Sequence, residues 1–395
     1  MPWGRTVFLK FIAHLKHGQI IVQDGGQMAT FGDDASLSTR ITVLDQRFYG
    51  KVVLGGSVGA GEAYIENYWK VDDLTTLVRI IARNIVLLDR FEKKFRWLFK
   101  PYRLLKHIAN RNNRTGSKRN IISHYDLGNE MYGSFLDSSM MYSSAIYPSE
   151  SSDLEEAARH KLEVICRKLD LRPSDRVIEI GSGWCGFAIY AAETYGCHVT
   201  TTTISDAQYE EGKRRIEEAG LSERITLIQQ DYRELSGSYD KLVSIEMIEA
   251  VGHRYHPQFF RKCGELLRPG GKMLIQAITI RDQNYDQYIG DVDFIQRHIF
   301  PGGCLVANAR MLDLIADKTD MVVSHLEDFG LHYGRTLHDW RVKFNLAFSD
   351  LKKRGYDERF RRLWNFYLCY CEGGFLERSI SVVHLLAARP DYQEE

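Results

Sequence analysis

No run of eighteen apolar residues occurs anywhere in the 395-residue sequence, which excludes a helix of bilayer-spanning length. No C-x-x-C pair occurs among its seven cysteines, and Cys369 and Cys371 stand too close for ordinary metal-ligand spacing. An odd set of thiols without that spacing predicts reduced, mostly buried cysteines in a cytoplasmic protein, and no metal centre. Net charge is also missing: 52 basic side chains meet 52 acidic ones. No global field therefore points to nucleic acid, and charge must be read locally. The opening "TVFLKFIAHLKHG" lacks a small-residue cleavage site and is interrupted by Lys10, His14 and Lys16, so no signal peptide is expected. Its apolar residues Val7, Phe8, Phe11, Ile12 and Leu15 recur at helical spacing. They predict an amphipathic helix, packed on its own domain or lying on a membrane surface.

What is present is ordinary for a soluble globular chain: 44% hydrophobic and 26% charged residues. The length suggests two or three domains. Residues 1–91 read as a small α+β domain, with strand-like runs "QIIVQ", "RITVLD" and "FYGKVVLG" and turns at Gly25-Gly26 and Gly32-Asp33. A helix then runs from Gly61 to Phe91, with Leu74, Leu77, Val78, Ile81 and Ile85 on one face. Residues 92–122 form a basic linker, in which Lys93, Lys94, Arg96, Lys100, Arg103, Lys106, Arg111, Arg114, Lys118 and Arg119 occur without an acid among them. It reads as a solvated linker or as a patch for anionic lipid heads, each cation worth about 1 kcal/mol near an anionic surface. Nucleic acid ranks behind both, because no reader motif occurs. Residues 123–395 form the third region. From about Asp153 to Thr279 helix and strand alternate, which predicts a doubly wound, Rossmann-like α/β sheet with its ligand at the carboxyl ends of the strands. From Tyr285 onward the chain reads as a helical, aromatic-rich cap.

"RVIEIGSGWCGFAIYAAETYG" places Gly181, Gly183 and Gly186 in a G-x-G-x-x-G pattern. A nicotinamide dinucleotide would want positive potential there and an acid at the tip of the second strand. That tip reads "TTTIS", with no acid, and the acid precedes the loop at Glu179. A carboxylate there repels a pyrophosphate and suits the ammonium of S-adenosylmethionine; its alternative role is a strand-end cap. Asp231, after the third strand, could accept from an adenine amino group or cap a helix. Thr203 and Gln208 could bind ribose hydroxyls, with Asp206 as a helix N-cap.

In order along the chain come "HYDLGNEMYGSFLDSSMMYSSAIYPS", the glycine loop, "TTISDAQ", "QDYREL", "EMIEAVG", "FIQRHIFPGG" and "FGLHYGRTLHDW". Together they resemble the cyclopropane-fatty-acyl-phospholipid synthase family, and "LGGSVGAGEAYIENYW" resembles that family's N-terminal lipid-binding domain. The resemblance implies a methyltransferase that moves a methyl group from S-adenosylmethionine to a cis double bond of an unsaturated phospholipid acyl chain. Loss of a proton then closes a cyclopropane ring. Alignment of methyl and π bond matters more than a base for the first step, and aromatic faces (Tyr125, Tyr142, Tyr147, Phe300, Tyr333, Trp340) could stabilise the cation.

The resemblance assigns Tyr142, Ser143, Gly181, Gly183, Thr203, Gln208, Asp231 and Tyr232 to the cofactor. It assigns a bicarbonate ion, the proton acceptor, to Glu249, the Ile278 backbone and Tyr333. Two further positions depart from the family: Ser144 stands for its cysteine and Gln276 for its histidine. Both can hydrogen-bond an oxyanion, and neither titrates near neutrality. Two outcomes follow: bicarbonate binds and a cyclopropane forms, or Glu249 or Tyr333 handles the proton and a methyl-branched or methylene chain results. Gln276 could also serve only to satisfy backbone. Drawing about ten methylenes through water costs about 8 kcal/mol, so the resemblance implies docking on an anionic membrane surface from the cytoplasmic side. The family's frequent dimers imply a homodimer. Three rival readings stay open: a nicotinamide oxidoreductase, an inactive lipid carrier, and a methyltransferase of small soluble acceptors.

Overall fold

The computed structural model describes residues 2–85 and 128–392. The basic linker, Tyr125 and the last three residues lie outside the described residues. The chain divides into two compact units. Among the described residues one unit holds 2–85, 291–299 and 337–379, and the other holds 128–290, 300–336 and 380–392.

The first unit is built on a four-stranded sheet of order β2-β1-β3-β4. β1 (Gln19–Asp24) and β2 (Gln27–Phe31) form a hairpin in which Asp24 pairs with Gln27. Gly25 supplies the positive φ (60°) that so short a turn needs. β3 (Ser38–Val43) lies parallel to β1, and β4 (Trp69–Val71) antiparallel to β3. The run "FYGKVVLG", expected as a strand, belongs instead to helix Arg47–Ile65, which is broken at Gly56 (φ 55°). The single helix expected from Gly61 to Phe91 is interrupted by β4 and resumes over Leu74–Arg83. There Asp73 caps the start by accepting from the Thr76 N–H at 3.0 Å.

Helix Glu358–Leu376, expected as part of a cap on the large sheet, belongs to this first unit. The buried Glu372 accepts from the Thr75 hydroxyl at 2.8 Å and from Arg341 at 3.2 Å, and Glu377 pairs with Arg79 at 2.7 Å. Small residues let the helices approach. A Cβ on Gly61 would fall on the Phe294 ring and come within 2.8 Å of Phe366. Gly61→Val should therefore destabilise this unit by about 3 kcal/mol, read as a lowered unfolding midpoint in a thermal melt. An unchanged midpoint would mean that the rings have room to move.

The second unit carries a seven-stranded sheet of order β10-β11-β9-β8-β5-β6-β7. β5 (Arg176–Ile180), β6 (His198–Thr203), β7 (Ile225–Gln229), β8 (Tyr239–Ile245) and β9 (Leu267–Ile280) run parallel, as the alternating pattern predicts. β11 (Ile380–Ala388) extends the sheet antiparallel to β9, and β10 (Val322–Asp328) lies antiparallel to β11 at its edge. They replace two stretches read from sequence as helical cap. Strand order reverses between β5 and β8, so the crevice for a ligand opens beyond their carboxyl ends. Helices His256–Leu266 and Asn308–Lys318 bury Phe259, Phe260, Cys263, Met311 and Leu314 in the core on one side. Leu154–Leu169 and Gly186–Tyr195 bury Leu162, Ile165, Phe187 and Ala191 in a second core cluster.

The seven cysteines form no disulfide, and six of them are buried. Among the described residues no helix is long and apolar enough to cross a membrane, and no cluster of His, Cys, Asp or Glu could hold a metal ion.

Candidate active site

The glycine loop leaves β5 at the reversal point. Gly181 (φ 97°) and Gly183 (φ 49°) take left-handed conformations that favour glycine. A Cβ on Gly181 would meet Met247 at 2.8 Å, whereas one on Gly183 would meet nothing within 4 Å. The loop is thus tight against the protein on one side and open on the other, as a backbone cradle for a ligand requires. Gly186 begins the following helix, and a Cβ there would strike Met141 at 2.8 Å.

Glu179, one residue before β5 ends, is 2% exposed. Its Oε2 accepts from the Thr201 hydroxyl at 2.5 Å. Burial pushes its carboxyl up to about 8, against the opposing pull of that hydrogen bond and of Lys161. A cation arriving beside it would restore the charge, which fits the ammonium of S-adenosylmethionine. It does not fit a pyrophosphate.

The other expected cofactor residues are gathered at the same strand ends, with two corrections. The Thr203 hydroxyl donates to Gln208 Oε1 at 2.9 Å, so the two expected ribose binders hold each other. The N-cap of helix Asp206–Glu218 is Ser205, not Asp206; the Asp206 carboxylate accepts from the Gln229 amide. Asp231 caps the turn Tyr232–Glu234 and pairs with Arg233 at 2.8 Å, so both readings of that residue have to share its carboxylate. The Tyr232 hydroxyl is buried without a hydrogen-bond partner among the described residues, an orphan that a bound ligand would satisfy. Ser143 accepts from Lys161 Nζ at 2.7 Å. Tyr142 lies edge-on to Tyr132, with ring centroids 5.1 Å apart, and its ring is 6.4 Å from that of Phe300. Tyr147 is less available than expected: it stacks on His332 and carries the Arg335 guanidinium 3.9 Å from its ring centre. Trp340 belongs to the first unit.

Three of the five positions assigned by resemblance to an anion converge on one atom group that the sequence reading missed, the Glu246 carboxylate. Oε1 accepts from the Ser144 N–H at 2.8 Å and from Gln276 Nε2 at 2.8 Å, and Oε2 accepts from the Tyr333 hydroxyl at 2.6 Å. Ser144 thus contributes its backbone, not the hydroxyl expected of it, which donates to the Ala145 carbonyl. The Ile278 N–H donates to Glu249 Oε1 at 2.5 Å, and Glu249 Oε2 is buried without a partner among the described residues. Burial first, then the neighbouring Glu246, pushes the Glu249 carboxyl up to about 8. Burial also raises Glu246, and the Tyr333, Ser144 and Gln276 donors oppose that shift.

Lys161 was also missed. It is fully buried, and burial pulls its ammonium down to about 8 against the fields of Glu246, Asp137 and Glu179. Its position was legible, because it falls on the buried stripe of its helix with Ala157, Ala158, Leu162 and Ile165.

Comparison with known proteins places this arrangement. A family model described as Mycolic acid cyclopropane synthetase matches residues 112–385. The chain belongs to that family. It is an S-adenosylmethionine-dependent methyltransferase. The tuberculostearic acid methyltransferase UfaA1 of Mycobacterium tuberculosis is 33% identical over 81% of this chain and 76% of its own length. The cyclopropane-fatty-acyl-phospholipid synthase of Escherichia coli is 32% identical over 90% of this chain and 89% of its own. Among solved structures, the cyclopropane synthase MmaA2 from Mycobacterium tuberculosis superposes with a TM-score of 0.64. It is 26% identical, and the match covers 69% of this chain and 98% of that one. The family's sheet is the one described above, so the doubly wound expectation holds.

The state of Glu179 gives the enzyme a pH signature. Below about pH 8 the buried carboxyl is neutral, and a cationic ligand must expel its proton to pair with it. S-adenosylmethionine affinity should therefore rise about tenfold per pH unit from about pH 6 to about pH 8 and then level off. Calorimetry across that range, in buffers of different ionisation heat, would detect both the slope and the released proton. A flat profile would mean that Glu179 is already ionised without the ligand.

Proposed function

We propose that this enzyme transfers the methyl group of S-adenosylmethionine to the cis double bond of an unsaturated acyl chain in a membrane phospholipid, and that loss of a proton then closes a cyclopropane ring. The observation that carries the reading is the convergence of Ser144, Gln276 and Tyr333, from three distant segments, on one buried point beside Glu249. A methyltransferase of small soluble amines would also want a base, but it would not need the N-terminal region that resembles the family's lipid-binding domain. The similarity to a cyclopropane-fatty-acyl-phospholipid synthase and to a tuberculostearic acid methyltransferase supports the reading.

When bound, S-adenosylmethionine supplies an electrophilic methyl group. The chain's own residues do the rest. Glu179 holds the cationic amino-acid end, and the open side of Gly183 lets the backbone approach it. Tyr142 and Phe300 offer ring faces to a developing carbocation, each worth about 2 kcal/mol in a dry site. Ser144, Gln276 and Tyr333, all buried around the half-buried Glu246, help exclude the water that would otherwise trap the cation as an alcohol. The basic stretch Lys93–Arg119 is proposed to dock the anionic membrane surface. Its assignment rests on sequence, and the homodimer rests on the family resemblance alone.

A second reading ends in a methylene or methyl-branched chain. It is favoured by Ser144 and Gln276 at the two positions where the family resemblance places cysteine and histidine, and by the similarity to a tuberculostearic acid methyltransferase. Incubation with methyl-labelled S-adenosylmethionine and three acceptors tests the proposal: phospholipid with cis-unsaturated chains, the same lipid saturated, and a soluble amine. Label should enter the unsaturated lipid alone. Label in the amine, or in the saturated lipid, would contradict it.

A further inference from the structure

We infer that Glu246 is a built-in proton acceptor: its carboxylate fills the place that the family resemblance gives to a bicarbonate ion, so this enzyme works without that ion. The inference rests on the proposed acyl-chain reaction and adds the identity of its base.

Three of the five positions assigned to bicarbonate spend their donors on Glu246, at 2.8, 2.8 and 2.6 Å. A carboxylate and a bicarbonate present the same pair of oxygens to such donors, and two anions cannot share them. A carboxylate has about four acceptor sites, so three donors leave capacity on Oε2 for a proton.

Gln276 is oriented to donate to this partner. β9 and β11 pair in a register that sets His384 opposite Gln276. Lys168 Nζ lies 2.9 Å from His384 Nδ1, and a lysine can only donate. Nδ1 is therefore the acceptor, and Nε2 carries the hydrogen that reaches Gln276 Oε1 at 3.0 Å. The amide oxygen is thereby committed to His384 and the NH₂ turned to Glu246 and to the Ser144 carbonyl, 3.3 Å away. Burial keeps His384 well below its ordinary range, so the ring is neutral, as this chain of donors requires. A glutamine so held is a donor to an anion and cannot itself take a proton. Lys168, His384 and Gln276 are positioning residues.

The backbone gives an independent sign. Glu246 sits in the left-handed region (φ 49°), which strains a residue with a side chain and costs glycine almost nothing. Its N–H is pinned to the Gln276 carbonyl at 2.8 Å. A carboxylate kept at a position that suits glycine points to a use for the side chain. Glu249 then has a separate role: the donors gather on Glu246, while burial pushes the Glu249 carboxyl up to about 8 and its Oε1 accepts from the Ile278 N–H.

The step balances. After the methyl carbon has bonded to one alkene carbon, the other carries the positive charge. Glu246 Oε2 takes a proton from the added methyl, the C–H electron pair forms the third ring bond, and the acyl chain leaves neutral. Glu246 returns the proton to water when the product departs.

The test uses the full-length enzyme, unsaturated phospholipid vesicles and carbon-13 bicarbonate. Wild type should turn over equally in buffer stripped of carbon dioxide and in buffer with added bicarbonate, and NMR should show no bound bicarbonate. Glu246→Gly, which relaxes the backbone and empties the site, should lose about 10³-fold in turnover. It should bind labelled bicarbonate and recover at least about tenfold with bicarbonate or formate, at unchanged S-adenosylmethionine affinity. Glu246→Gln, close to isosteric, should be equally slow without rescue. Bicarbonate bound to wild type, a wild-type rate that falls when it is removed, or a fully active Glu246→Gln would each overturn the inference. If wild type methylates no lipid in any buffer, the acyl-chain reading fails, and the NMR comparison still decides whether Glu246 occupies the anion site.

Discussion

Glu179→Ala is expected to weaken S-adenosylmethionine binding by about 30-fold to several thousandfold while the protein stays folded. The range follows from the cost of removing one member of a buried charge pair, about 2–5 kcal/mol, at 1.4 kcal/mol per decade. Glu179, proposed to pair with the cationic cofactor, precedes the glycine loop and is 2% exposed. Without the ligand its side-chain donor among the described residues is Thr201, so the variant loses little that holds the fold. Stability should even improve toward alkaline pH. A carboxyl whose folded pKa (about 8) lies above its unfolded value (4.5) contributes stability below about pH 4.5 that is lost as pH rises through about 8, and the alanine variant lacks that loss. Calorimetric titration gives the affinity and a pH series of melts gives the stability. Unchanged affinity would remove the main argument for a cationic cofactor at this loop.

Tyr333→Phe is expected to lower turnover about 10- to 100-fold with cofactor affinity unchanged. The ring is 5% exposed and phenylalanine keeps it, so the packing survives. What disappears is the hydroxyl 2.6 Å from Glu246 Oε2, and a hydrogen bond to a charged acceptor is worth about 1.5–3 kcal/mol. That bond also holds the Glu246 carboxyl down against burial. Without it the carboxyl rises further and is more often protonated near neutrality, when it cannot accept a proton. The acid limb of the rate profile should therefore move to higher pH, and raising the pH should recover part of the loss. A residue with a merely structural role would lower the rate equally at every pH.

Much of this was legible because parallel strands under helices leave a strong pattern. β5 to β9 and their helices stand where alternating apolar runs put them, and Gly181, Gly183 and Glu179 stand at the loop they announced. β10 and β11 were not legible. β10 is almost wholly exposed along "VVSHLED", an edge strand without a buried face, and β11 is a continuous apolar run, "ISVVHLLAA", that periodicity cannot tell from helix. "FYGKVVLG" looked like a strand for the same reason, and only its place before a glycine break makes it helical. Glu246 escaped notice because "EMIEAVG" offers two acids three residues apart and the resemblance claimed the second. What turns the first into the site is its left-handed backbone at the end of β8, a property of the fold that the residue type does not announce. Ser144 was read by its hydroxyl, yet it acts through an N–H that every residue but proline carries, so the change from cysteine says less about the site than the identity of Glu246 does.

The most direct measurement is carbon-13 NMR, with mass spectrometry, of phospholipid incubated with the enzyme and carbon-13-methyl S-adenosylmethionine. The account predicts one labelled carbon per modified acyl chain, added at the former double bond, with upfield ring protons for the cyclopropane. Label on the head group, or an acyl chain left unlabelled while S-adenosylmethionine is consumed, would contradict it.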